Sequence, residues 1–205
     1  MKTEVINVFP TGEGRDAALE LTERTGAYCG TDQKTALRLR LLSEELIELV
    51  RALNNELESS FWLETNDNNI EMHLKTVISM DLATRKELLS VSSSGKNEAA
   101  KGIIGKIREM IAVATLPEDP ETKVMTKQAL GLMALGNPSN AYYGGSYTWS
   151  LASYSTSIGK ASIGETGISE AQDELEKSIV ANLADDVKVT IVDSNVEVVI
   201  YKSYK

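Results

Sequence analysis

One cysteine and one histidine are all that 205 residues contain of the side chains most used for disulfides and zinc sites. Cys29 alone cannot close an internal disulfide, and no Cys/His spacing that holds zinc is present. Aromatics make up only 5%, which leaves the core to Leu, Ile, Val, Ala and Met. Clustered Lys or Arg is missing as well. With a net charge of -9, the chain lacks the basic patch that nucleic acid requires, and it is disfavoured at an anionic membrane surface. No apolar run reaches the length of a membrane span, and Met1 to Pro10 lacks the apolar core of a signal peptide, so the expected location is cytoplasmic. The apolar fraction, 42%, is enough for one hydrophobic core, and the length suits a single domain over residues 1–205.

The longest regular pattern is Ala36 to Leu53, free of Gly and Pro. Leu39, Leu42, Leu46, Val50 and Leu53 recur at three- and four-residue steps, the period of one buried helix face. Thr31 or Asp32 can cap its start. Arg40, Glu44, Glu48 and Arg51 fall on a second stripe, which on spacing alone reads as a solvated face with helix-stabilising ion pairs.

Around this helix the other elements follow in order. Thr3 to Phe9 reads as a strand ended by Pro10 and the Gly12/Gly14 turn, and Arg15 to Ala27 as a modest helix with Cys29 packed at its stop. Ser60 to Glu64 and Ile70 to Ile78 read as a hairpin joined by the polar run Thr65 to Asn69. His73 shares the polar face of the second strand with Lys75 and is expected at the surface. A helix is expected from about Asn97 to Ala114, containing Gly102 and Gly105. Another opens at Asp119-Pro120-Glu121 and stops at Gly136 and Pro138. Residues 137–167, rich in Ser, Gly, Tyr and Thr, read as a weakly ordered insertion in which Trp149, Leu151 and Tyr154 can dock a short helix or strand. Ser169 and Gln172 form a capping box for a helix to about Leu183, with Ala171, Leu175, Ile179 and Leu183 inward. Val187 to Val192 and Val196 to Tyr201 close the chain as a second hairpin. Together they predict an α+β two-layer sandwich, with helices on one face of a mixed, mostly antiparallel sheet.

With an acidic helix in second position, the order of elements resembles the GHKL-type ATPase fold, and most closely the bacterial anti-sigma regulatory factors and serine kinases. The likeness covers most of the chain, with residues 116–167 as an added helical and Ser/Gly/Tyr-rich segment. It implies a catalytic role for Glu44 and a Mg²⁺-holding role for Glu48, which stands where the family has Asn. Asp81 takes the place of the Asp that reads adenine, although Leu82, Ala83, Thr84 and Arg85 follow it without the family's two glycines. Gly95 and Lys96 with Gly102 and Gly105 supply one candidate for the phosphate-binding lid; Gly159, Lys160, Gly164 and Gly167 supply another. The implied ligand is ATP with Mg²⁺, and the implied partner is a protein, with a homodimer left open.

Two superficial matches lead nowhere. Gly95-Lys96 is no P-loop, because Ser90 stands where its first glycine belongs and Asn97 follows the lysine. Ser93 to Lys96 spells Ser-x-x-Lys without the companion motifs of an acyl-serine enzyme. Three functions therefore stand: a regulatory protein with an altered nucleotide site, an interaction module that binds no nucleotide, and a working ATPase or kinase with unusual motifs.

Overall fold

The computed structural model describes residues 1–51, 58–78, 103, 105, 107, 110, 111, 115, 142–143, 146–160 and 168–204. In chain order these form β1 (Ile6–Val8), α1 (Arg15–Tyr28), α2 (Gln33–Arg51), β2 (Ser59–Thr65), β3 (Asn69–Val77), β4 (Tyr142–Tyr143), β5 (Ser146–Ser150), α3 (Leu151–Lys160), α4 (Ile168–Lys177), α5 (Ile179–Leu183), β6 (Asp186–Val192) and β7 (Asn195–Ser203). The fold is α+β. Seven strands lie in the order β1-β2-β3-β7-β6-β5-β4. Every pairing among the described residues is antiparallel, in keeping with the mostly antiparallel sheet expected.

Period-two patterning decides which way each strand faces. Phe61 and Leu63 of β2, Ile70, Met72 and Leu74 of β3, and Val196, Val198 and Ile200 of β7 are buried on the inner face, continued by Val187, Val189 and Ile191 of β6. Leu39, Leu42, Leu46, Ile47 and Leu49 of α2 join the same core, as do Leu19 and Leu21 of α1 and Val180 of α5. Each such side chain, fully withdrawn from water, contributes about 1.5–3 kcal/mol. Helices α2 and α5 thus share one face of the sheet. Ile103, Ile107, Met110 and Ile111 are helical, buried and part of this core, spaced as one helix face within the expected 97–114 helix.

Local chemistry fixes the start of α2. Asp32 Oδ1 accepts from the Thr35 amide at 2.7 Å, so Asp32 and not Thr31 is the cap, and the helix begins three residues before Ala36. Hydrogen bonding from Thr35, by its side chain first and then by its amide, holds the Asp32 carboxyl below its usual range. At the start of α1, Gly14 adopts φ 82° against β1, and a Cβ there would lie 1.9 Å from the Asn7 carbonyl oxygen. Only glycine fits both the left-handed backbone and that approach. Between the two helices, Thr22 Oγ1 meets Ser43 Oγ at 3.0 Å, and Ser43 Oγ donates onward to Met72 Sδ at 3.4 Å. One buried polar chain therefore ties α1 through α2 to β3.

Three expectations need correction. The first strand is only Ile6–Val8, with an isolated Lys2–Glu64 bridge before it, because Pro10 and the turn hydrogen bonds Gly12 N to Phe9 O and Phe9 N to Glu13 O pull the chain away. The 137–167 segment is not a loose insertion over Ser146 to Lys160. Tyr147 and Trp149 alternate with Ser146, Thr148 and Ser150, pair with β6, and are buried with Leu151, Tyr154 and Ile158 of α3. Its few large residues are spaced to reach the core, which composition averaged over the whole segment conceals. Finally, the helix expected from Ser169 to Leu183 begins at Ile168, so Ser169 lies inside it, and it breaks at Ser178. The Ser178 side chain accepts from the Ala181 amide and caps a new helix, turning Val180 inward and leaving Ile179 half exposed. The expected 119–136 helix, Asp81, Gly95, Lys96, Gly102, Gly164 and Gly167 lie outside the described residues.

Candidate functional site

The charged stripe of α2 forms a cross-helix network. Its organiser is Arg15, the first residue of α1, placed beside the C-terminal half of α2 because the Gly14 turn starts α1 antiparallel to it. Arg15 Nη2 lies 4.0 Å from Glu44 Oε1, and Arg15 Nε lies 3.7 Å from Glu48 Oε1. From the other side, Arg40 Nε reaches Glu44 Oε1 at 3.3 Å, one helical turn away, while Arg40 Nη1 pairs with Glu23 of α1. That bond to Glu23 raises the Arg40 guanidinium above its usual range. Arg15 Nε is buried, and it has no hydrogen-bond partner among the described residues.

Glu44 is thus held between two guanidinium groups and Glu48 beside one of them. A Mg²⁺ ion at these carboxylates has to compete with cations already in place, and the pair as arranged does not fit the metal-holding role. Among the described residues no group of three or more His, Cys, Asp or Glu side chains is gathered for a metal ion. Of the lid candidates, Gly105 is helical and buried, and Gly159 is exposed in the last turn of α3. The Arg51 side chain lies outside the described residues, so of the two arginines on the stripe Arg40 is the one seen to engage Glu44.

Arg15 is the member that sequence reading missed. It lies 29 and 33 positions before its partners, and the only local hint is the Gly12/Gly14 turn, which reverses the chain into the helix. His73 also departs from expectation. It occupies the polar face of β3 but is only 8% exposed, because its ring stacks on Trp62 with centroids 4.8 Å apart and planes 12° from parallel. Lys2 lies over the same indole at 4.5 Å, and Trp62 Nε1 donates to Glu64 at 2.9 Å. This bond, then Lys2, holds the Glu64 carboxyl below its usual range.

Among the described residues no helix is long and apolar enough to cross a membrane. The chain matches no protein-family model, no curated protein and no solved structure.

Proposed function

We propose that this chain is a GHKL-like, anti-sigma-factor-like regulatory protein that acts through a protein partner, with its nucleotide site closed by arginine. The observation that carries the reading is the double guanidinium contact on Glu44, with Arg15 also beside Glu48. Those are the positions that the family resemblance assigns to water activation and metal. Guanidinium groups set beside these carboxylates compete with Mg²⁺ for them. The strand, two helices and hairpin that open the chain, and the helix α5 and hairpin that close it, with α2 and α5 on one sheet face, support the fold resemblance from which the partner-binding role is drawn. On this reading the chain regulates by contact and not by turnover.

Calorimetry with Mg-ATP tests it. The native protein is expected to give no binding heat at micromolar nucleotide, and Glu48→Asn combined with Arg15→Gln is expected to gain binding. Micromolar affinity in the native protein would overturn the closed-site reading and favour a working ATPase or kinase.

A further inference from the structure

The outer face of the sheet carries the chain's one imidazole in an arrangement that ion pairing alone leaves incomplete. His73 Nδ1 lies 3.0 Å from Glu197 Oε1 of β7, within hydrogen-bond distance. Its other nitrogen, Nε2, is buried and has no hydrogen-bond partner among the described residues, although the residue is more than nine-tenths withdrawn from solvent. Glu71 Oε2, two residues earlier on the same face, lies 3.5 Å from Nε2. That separation is too long for a hydrogen bond but close to another standard distance. Two donors each bound to zinc at about 2.1 Å, at a tetrahedral angle, stand about 3.4 Å apart.

We propose that His73 Nε2 and the Glu71 carboxylate form a two-residue site for a divalent transition metal of the zinc class. Each feature of the cluster has a place in it. Glu197 on Nδ1 takes the N–H, which leaves the Nε2 lone pair for the ion and fixes the ring, the arrangement that most metal-bound histidines share. The stack on Trp62 locks the imidazole plane from the β2 side, and Val199 stands across from His73 on β7. Glu71 is the open member, with its side chain 26% exposed, so the ion enters past it and water completes the coordination. The nearby acid Glu64 is committed to Trp62 and Lys2, and Lys188 lies over the Tyr201 ring. A hard cation such as Mg²⁺ gains nothing from an imidazole nitrogen, so the site selects by ligand type.

The site is tested by titrating the full chain with Zn²⁺ alone in a non-chelating buffer, read by calorimetry, and with Ni²⁺, read by quenching of Trp62 emission. Saturable one-to-one binding is expected. His73→Gln is expected to weaken it at least about tenfold, Glu71→Gln likewise, and Glu197→Gln by about tenfold through loss of ring orientation. Circular dichroism shows whether His73→Gln still folds. If it does not, Glu71→Gln, on the exposed side of the cluster, carries the test with the same threshold. Absence of Zn²⁺ heat would overturn the site. So would an isotherm that the foldable variants leave unchanged, since the ion would then be spread over scattered surface carboxylates.

Discussion

Leu74 and Lys75 are neighbours on β3, yet one stands across from Phe61 and Val198 and the other from Ser60 and Glu197. The same contrast runs across the sheet. On the inner face, strand side chains meet helix side chains through mostly apolar contact, with the Thr22–Ser43–Met72 chain as a polar link. On the outer face, Trp62, His73, Glu71, Glu197, Lys188 and Tyr201 hold one another by stacking, ion pairing and cation–π contact. Non-directional burial makes the inner face the main source of stability, whereas the outer face is held by directional contacts.

The largest effect follows from that contrast within a single strand. Leu74→Ala removes a fully buried side chain and is expected to cost about 2–5 kcal/mol by urea denaturation. Lys75→Ala, one residue on and exposed, is expected to stay within about 0.5 kcal/mol of the native protein. Equal losses at the two positions would mean that the faces are packed alike, and the comparison would collapse.

A smaller effect, with the opposite sign, lies inside the inner face. The Tyr147 hydroxyl is buried without a hydrogen-bond partner among the described residues, and burial pushes the phenol up to about 12. An unsatisfied buried hydroxyl carries its desolvation cost with no return, so Tyr147→Phe is expected to stabilise the protein by about 1 kcal/mol. A loss of similar size would show that the oxygen meets a partner after all, and the inner face would not be purely apolar there.

How much of this was legible beforehand depended on the range of the signal. The strands around Phe61, Leu74, Val189 and Val198 were readable because alternation is local, and α2 because Leu39, Leu42 and Leu46 repeat within it. Boundaries set by one local hydrogen bond, such as Asp32 to Thr35 or Ser178 to Ala181, were readable only in part. Trp149 and Tyr154 stood out as docking residues in a Ser- and Gly-rich stretch, but Tyr147 and the order of its surroundings were concealed by an average composition that pointed to looseness. The site was the least legible. Glu44 and Glu48 stood out by spacing, but their partner Arg15 comes from the start of another helix. The burial of His73 depends on Trp62 and Glu197, which three-dimensional pairing alone brings to it.

The smallest effect concerns the rim, where polar contacts hold strand ends together. Asp185, just before β6, accepts from Lys202 Nζ at 2.9 Å and from Ser203 Oγ at 2.6 Å, and also from the Ser203 amide. Partial burial pushes its carboxyl up, but the hydrogen bonds from Ser203 and Lys202 outweigh this and hold it below the usual carboxylate value. A carboxyl depressed in the folded state adds stability that is complete above its unfolded value, about 3.9. That stability is lost as pH falls through the lower folded value. Asp185→Asn keeps the shape and removes the charge, so it is expected to be less stable than the native protein at pH 6, with the gap shrinking between pH 4 and pH 2. Because the carboxylate is substantially exposed, the gap is expected to be small, and added salt is expected to narrow it further. Leu74→Ala, whose loss lies in the apolar interior, should show no such convergence in the same melts. If both variants lose stability in parallel with pH, the rim draws on the same forces as the core, and the division between the two faces does not extend to the strand ends.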